Sequence, residues 1–502
     1  MVVPGAAESF PCDAVGVAVY AGQAALRGAA ARVDAALGGA LVAALAEEKF
    51  EATAAATLIL HTHGRIPARR IIAVGMGAPD AVTAETVRRA SAAVVRRAAQ
   101  AHAAHVALAD DDILPADAVG QAQAEGALLG AYRFSRYRRD DGGRVDRLTL
   151  LTADTARRDS LQAGADRGRI FAEATLLARD LTNEPPNALP PPALADVAAQ
   201  LAARAGLRCT ILEPAQMQEL GMNALLAVAA GSDHPARLIV LEYAPADARR
   251  TVALVGKGVC FDSGGLNLKH QDLEWMKADM AGGAAVIATL QALPALRPPV
   301  RVVGVVPAVE NMPGGRAVKP GDIVRASNGT TIEITNTDAE GRLILADALA
   351  YAVRQQPDEI VDLATLTGSA MVALGYLAAA IMGNNQALVD RLLQAASRAG
   401  ERLWQLPLYD EYLEDMRSPV ADLRNSGSSR YGGAQKGAIF LREFVGGRPW
   451  AHLDIAPTAF LEKEEGTGPY LPKGATGYGV RTLLYFLNPP DLPNLPDPPH
   501  PL

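Results

Sequence analysis

Short runs of aliphatic and β-branched residues recur along this chain, separated by segments whose apolar positions return every three or four residues. That alternation limits the fold more than any other feature, because each period can bury its apolar face in only one kind of element. In the N-terminal part, Ala14–Tyr20, Ala56–Leu60, Ile71–Val74, Val106–Ala109 and Leu148–Leu151 have the length and composition of strands. A helix is expected over Ala84–Ala104: Val87, Ala90, Val94, Ala98 and Ala101 share one face, and Arg88, Arg89, Arg96 and Arg97 occupy the others. The segment Tyr132–Arg147, arginine-rich around Asp140-Asp141-Gly142-Gly143, reads as a solvated hairpin with a polar turn rather than a basic binding patch.

The 502 residues exceed one ordinary domain of ~100–200, and a boundary is expected near residues 155–170. A helix over Arg169–Leu181 should stop at Thr182-Asn183-Glu184-Pro185-Pro186-Asn187, where proline cannot continue it. Beyond it, strands are expected at Cys209–Leu212, Leu238–Tyr243, Val252–Val255, Val302–Val306, Ile360–Leu363 and His452–Ile455. Helices are expected at Gly282–Leu293, Leu343–Val353 and Val389–Ala399. Such alternation implies an α/β sheet with helices on both faces, and in such sheets ligands collect beyond the carboxyl ends of the strands.

Two clusters at those strand ends carry chemistry. Gly256–Lys269, GKGVCFDSGGLNLK, follows an apolar strand and contains Lys257, Asp262 and Lys269; Asp279 comes ten residues later, before the small-residue run Ala281–Ala285. Asn336–Leu343, NTDAEGRL, adds Asp338, Glu340 and Arg342. Three aspartates and a glutamate suit hard or borderline divalent cations, and carboxylates gathered out of water need compensating positive charge. Taken separately, each feature has an ordinary reading. Thr337-x-x-Glu340 fits a helix capping box, and Lys257 with Asp262 fits a surface ion pair. Their conjunction favours a metal centre. His270 and Cys260 lie in the same stretch as candidate extra ligands but are not assigned; His61 and His63 read as strand-end residues.

These motifs closely resemble the signatures of the cytosolic leucyl aminopeptidases, and the resemblance extends through ARDLTNEPPN at Ala178–Asn187, DLATLTGS at Asp362–Ser369, HLDIA at His452–Ala456 and ATGYGVR at Ala475–Arg481. It implies two α/β domains: a small N-terminal one over residues 1–160, and a larger catalytic one over 161–487 with a mixed sheet flanked by helices. A proline-rich tail follows over 488–502. It implies a metal-dependent exopeptidase that releases leucine and other apolar residues from peptide N-termini through metal-activated water. One ion would be held by Lys257, Asp262, Asp279 and Glu340, the other by Asp262, Asp338 and Glu340, with manganese or zinc expected. Lys269 and Arg342 fall on the two catalytic positions, and Arg342 is the expected seat of a bicarbonate ion. Met276, Thr365 and Gly368 fall on positions that contact the first substrate residue; core packing is their competing explanation. A ligating Lys257 must be neutral, which requires an adjacent cation to pull its pKa down. The resemblance also implies a homohexamer acting on peptides.

This chain departs from the family pattern in a Lys269–Asp279 loop one residue shorter than usual, in Ala434-Gln435-Lys436-Gly437, and in Pro457 after HLDIA. A formal net charge of −7 gives no global reason to bind nucleic acid or anionic membrane. The three scattered cysteines make neither a disulfide framework nor a CxxC site, and no signal peptide is read at the N-terminus, so a cytoplasmic setting is expected. A DNA-binding scaffold and a different two-metal hydrolase are the weaker alternatives.

Overall fold

The computed structural model describes residues 1–139, 142–463 and 468–488. The chain divides into two compact units, Met1–Leu176 with Lys463–Pro472, and Leu177–Glu462 with Lys473–Leu502.

The first unit is built on a six-stranded sheet. Its strands are β1 (Val2–Pro4), β2 (Ala14–Val19), β3 (Thr57–His61), β4 (Arg70–Gly75), β5 (His105–Ala109) and β6 (Arg147–Thr152), in the spatial order β1-β6-β5-β2-β4-β3. All pairs are parallel except β3 with β4. Alternation along β2 decides the layers. Val15, Val17 and Val19 pack with helix Gly28–Ala36 on one face, whereas Ala14 joins the core under helices Ala84–Gln100 and Ala116–Ala131 on the other.

Two expectations need correction in this unit. The Tyr132–Arg147 hairpin does not form: among the described residues 132–139 and 142–146 there is no strand, and Asp140 and Asp141 lie outside them. Instead, helix Ala116–Ala131 precedes this segment. Its glycines argue against a helix by propensity, but they are what permits its packing. A Cβ at Gly126 would stand 2.0 Å from the Arg88 carbonyl oxygen, and one at Gly130 would stand 2.7 Å from Ala92 Cα. The second correction is the length of the next helix, which runs over Arg158–Asn183 rather than from Arg169.

The second unit carries a nine-stranded mixed sheet. Its strands are β7 (Arg208–Leu212), β8 (Arg237–Tyr243), β9 (Thr251–Gly256), β10 (Gly258–Asp262), β11 (Arg301–Asn311), β12 (Glu359–Ala364), β13 (Ala379–Gly383), β14 (Leu403–Gln405) and β15 (Trp450–Asp454). The order is β14-β13-β15-β12-β9-β11-β8-β7, with β10 pairing on β11. The central pairs β15 with β12, β12 with β9, β9 with β11 and β11 with β10 are parallel, so their carboxyl ends open on one edge.

Helix Ala281–Leu296 is almost entirely buried against this sheet. By composition the stretch Leu273–Leu296 is apolar enough to cross a membrane, but 78% of its most apolar window is buried inside the protein, as in a core helix. Its small residues set how close it comes. A Cβ at Gly282 would lie 2.1 Å from the Leu363 carbonyl oxygen, and one at Gly256 would lie 2.4 Å from that of Gly282. The run Ala281–Ala285 therefore lets the start of this helix press onto the ends of β9 and β12. The proline-rich tail lies outside the described residues, apart from Asn488.

Candidate metal centre

The acidic residues reach one place because of where the strands end. Lys257 follows β9, and its backbone N–H donates to the Leu363 carbonyl on β12 (3.0 Å). Asp262 closes β10, in register with Asn311 on β11. Asp279 ends the 3-10 helix Leu273–Ala278, just ahead of helix Ala281–Leu296. Asp338 and Glu340 sit in the loop that enters helix Gly341–Arg354, and Thr365 follows β12. Carboxylate oxygens of Asp262, Asp338 and Glu340 all lie within 4.8 Å of one another.

Two lysines thread this cluster. Lys257 Nζ contacts Asp279 Oδ1 at 2.7 Å and Glu340 Oε1 at 2.8 Å, and donates to the Thr365 carbonyl at 2.9 Å. Lys269 Nζ contacts Asp262 Oδ2 at 2.8 Å and also pairs with Asp338. All five proposed ligands and Lys269 are thus brought together. Thr365 joins them, its hydroxyl donating to Asp279 Oδ1 at 2.8 Å. Arg342, on the first turn of its helix, is buried and donates from Nη1 to the Asn425 carbonyl at 2.9 Å; its Nε has no hydrogen-bond partner. Met276 is half-buried one turn before Asp279, whose N–H it accepts at 3.2 Å. Gly368 is exposed, and a Cβ there would meet nothing within 4 Å.

The donor set fits divalent cations. Four carboxylates share two ammonium groups, so negative charge is in excess within the cluster. Asp279 Oδ2 is buried and accepts no hydrogen bond, an arrangement that costs free energy unless a cation meets it. Burial raises the carboxyl pKa of Asp262, Asp279 and Asp338, with neighbouring carboxylates adding to it at each. Burial also works against the Lys257 ammonium, but Asp279, Glu340 and Asp262 outweigh it and hold its pKa above the ordinary lysine range. The neutral amine that ligation calls for is therefore not produced by the carboxylates; a cation beside Lys257 has to supply the opposite push. Arg342 is lowered by burial to about 10 and stays cationic at neutral pH.

His270 is exposed, and the buried Cys260 thiol is raised by burial and donates weakly to the Gly258 carbonyl; neither belongs to the acidic group. His61 is the last residue of β3.

Two positioning residues escape sequence reading. Asn311 amide hydrogens bind Asp262 Oδ1 (2.8 Å) and the Thr337 carbonyl (3.0 Å), tying β10 to the Asp338 loop. Asn425 is fully buried: its Oδ1 accepts from Thr335 and Asn336 N–H, its amide donates to the Asn336 carbonyl, and its own carbonyl holds Arg342. A polar residue ending the long apolar run Arg301–Asn311 was a signal for the first; a lone asparagine in a polar loop gave none for the second. In the departing segment, Lys436 is buried in helix Gly433–Arg442, paired with Asp415 and bonded to Ser429.

Fold and site together define a two-unit α/β protein with an acidic, lysine-threaded centre, suited to divalent cations, at the carboxyl ends of its parallel strands. Residues 176–484 match the catalytic domain of the cytosol aminopeptidase family and residues 14–141 match its N-terminal domain. The chain belongs to the cytosol aminopeptidase family, and it is an aminopeptidase. It is 47% identical to a probable cytosol aminopeptidase of Geobacter sp. (strain M21), over 90% of this chain and 92% of that protein. It is 43% identical to one of Alkaliphilus oremlandii, over 96% and 97%. Among solved structures it is similar to a tomato leucine aminopeptidase mutant (TM-score 0.87, 35% identity, 97% of this chain and 95% of that one). It is also similar to the bottromycin maturation enzyme BotP in complex with Mn (TM-score 0.83, 41% identity, 95% and 99%).

Proposed function

We propose that this aminopeptidase depends on two divalent cations, held by Lys257, Asp262, Asp279, Asp338 and Glu340, and that it prefers leucine and other apolar N-terminal residues of short peptides. The observation that carries the reading is the gathering of three carboxylates within 4.8 Å around a charge deficit, with Asp279 Oδ2 left without a partner. The manganese complex of the similar BotP chain supports manganese; zinc suits the same donors.

When bound, divalent cations supply the Lewis acidity that makes water nucleophilic and polarises a carbonyl at neutral pH. The remaining work falls to the chain's own residues. Thr365 orients Asp279 through its hydroxyl and Lys257 through its carbonyl. Lys269, partly open to solvent, offers an ammonium to the oxygen that gains charge as the peptide carbonyl is attacked. Arg342 presents a planar guanidinium with an unpartnered Nε, suited to a bicarbonate ion that accepts a proton. Met276, Thr365 and Gly368 border the first side chain of the substrate, with Gly368 leaving it open space. The working form is a cytoplasmic homohexamer.

The test is metal content beside activity. Wild-type protein should carry two divalent ions per chain and cleave leucyl anilides faster than acidic or basic ones, while leaving N-acetylated peptides intact. Glu340→Gln should lose both ions and at least ~10³-fold in kcat, the scale of one removed electrostatic stabiliser or more. Full cleavage by Glu340→Gln, or by protein stripped with chelator, refutes the reading. Sedimentation at a mass other than six chains refutes the hexamer.

A further inference from the structure

A second pocket lies wholly in the first unit, and nothing in the peptidase reading uses it. It sits at the carboxyl ends of β2 and β5. These neighbours are parallel, but their onward connections diverge: β2 leads through helix Gly28–Ala36 towards β4, and β5 leads through helix Ala116–Ala131 to β6. Such a switch point leaves a crevice between the two departing loops, the usual place for a ligand in a parallel sheet.

The crevice holds a cavity of about 40 Å³, where a single water needs about 10–15 Å³ of such space. Most of its wall is aliphatic, including Val74, Met76, Val87, Val94 and Leu108. Three polar atoms converge on that wall: Gln123 Oε1, buried without a hydrogen-bond partner, and Tyr20 Oη and Asp111 Oδ2, which face each other with the phenol as donor. Tyr20 is 6% exposed and Gln123 5%. The other ends of two of these side chains are already engaged, which fixes these atoms in place. Asp111 Oδ1 accepts from Ala29 N–H at 3.3 Å, and the Gln123 amide donates to the Ala109 carbonyl at 3.1 Å.

These atoms dictate the chemistry of what they bind. Gln123 Oε1 and Asp111 Oδ2 only accept, and Tyr20 can accept. Gln123 Oε1 leaves about 1–3 kcal/mol of desolvation uncompensated until a donor arrives, and the single Tyr20 hydroxyl meets only part of the hydrogen-bonding capacity of the Asp111 carboxylate. Asp111 forms no ion pair closer than 4.0 Å among the described residues, and Arg27 stacks its guanidinium 5.1 Å from the Tyr20 ring centroid. An anion is therefore disfavoured, and a group with several N–H donors and a positive charge is favoured. We propose that this crevice binds a small primary ammonium compound with a short aliphatic body, its head group shared by Tyr20, Asp111 and Gln123. Burial raises the pKa of both Tyr20 and Asp111, and a bound ammonium would reverse that push on Asp111. The shared chemistry covers simple alkylamines and free aliphatic amino acids; Arg27, stacked on Tyr20, is the group that could add affinity for an amino-acid carboxylate.

The experiment uses the full-length, metal-loaded enzyme, its catalytic centre first saturated with a hydroxamate inhibitor. Isoamylamine, L-leucine, isopentanol and isovalerate are titrated calorimetrically and soaked into crystals. At least one of the two ammonium compounds should bind once per chain, with density against Tyr20, Asp111 and Gln123, and isopentanol and isovalerate at least tenfold more weakly. Tighter L-leucine than isoamylamine identifies an amino-acid site; the reverse identifies a simple amine site. Asp111→Asn, which keeps the acceptor for Ala29, should weaken the ammonium compound at least tenfold. The cavity-filling Ala18→Leu should do the same. Both should leave kcat/KM on leucyl anilide and the melting temperature unchanged. Equal binding of the neutral or anionic isostere overturns the proposal, as does undiminished binding by folded Asp111→Asn or a crevice holding only water in every soak. None of the binding results bears on the metal-dependent peptidase reading, whose centre is blocked in every titration and soak.

Discussion

Gly341→Ala should make this protein no less stable and much less active. Gly341 opens the helix Gly341–Arg354, outside the left-handed region, so alanine fits its backbone. On helix propensity alone the change is favourable by up to ~1 kcal/mol. The added Cβ, however, would stand 2.8 Å from both Cε and Nζ of Lys257. Ordinary contact begins at 3.4 Å, so the amine must retreat by about 0.6 Å. It cannot do so without stretching contacts of 2.7, 2.8 and 2.9 Å to Asp279, Glu340 and Thr365. The atom displaced is the far end of a flexible side chain, so the backbone need not move. Misplacement on the scale of an ångström costs about 10²-fold in rate, and a shift of this size should cost about 10- to 100-fold in kcat/KM, or ~1.4–2.7 kcal/mol. Steady-state kinetics on leucyl anilide, metal content and thermal melting would be measured on the same preparation. Activity within threefold of wild type would refute the reasoning, and so would a melting temperature that falls in step with activity.

Other expectations follow from buried groups. Asp347 is fully buried, and burial outweighs the N–H bonds from Leu225 and Ser327 to raise its carboxyl to about 6. Because the native state holds this proton more tightly than the unfolded chain does (~3.9), its contribution is complete below about pH 4 and is lost as pH rises through 6. The stability difference between wild type and Asp347→Asn should therefore shrink by roughly 2–3 kcal/mol from pH 4 to pH 7, and a difference independent of pH in denaturant titrations would contradict this. Asp362→Asn removes an acceptor shared by Trp450 Nε1 (2.6 Å) and His452 Nδ1 (2.5 Å), all fully buried. Breaking such a pair should cost about 3–5 kcal/mol, and a loss under 1 kcal/mol by chemical denaturation would show the pair to be dispensable. Gly126→Ala should lower the melting temperature of the first unit despite better helix propensity, because its Cβ meets the Arg88 carbonyl at 2.0 Å; differential scanning calorimetry showing a raised transition would contradict it.

Six of the nine strands of the second sheet (β7, β8, β9, β11, β12 and β15), and the segments that carry Lys257, Asp262, Asp338 and Glu340, were legible because apolar runs and glycine-rich acidic clusters are local signals; β10, β13 and β14 were not expected. What was not legible depends on partners distant in sequence. Gly120, Gly126 and Gly130 read as helix breakers until a neighbouring helix shows why a side chain cannot fit. The return of residues 468–472 to the first unit, where Tyr470 donates to Glu85 at 2.7 Å and packs with Ala92, Leu129 and Ala172, has no local signature. Asn425 is likewise ordinary in sequence and central in space, since a single amide serves several backbone groups at once. The expected hairpin failed for the converse reason: alternating arginines with a polar turn satisfy a local pattern, but the few apolar residues there, Tyr132, Phe134, Tyr137 and Val145, are too sparse to give two strands a face to bury.

The unfilled space around Gly368 has a practical consequence for redesign. Where Gly256, Gly282 and Gly341 crowd backbone or lysine against any added carbon, position 368 can accept a side chain without moving a neighbour. On the proposal that Gly368 borders the first side chain of the substrate, attempts to retune which amino-terminal residue is removed should begin there, leaving the acidic centre untouched.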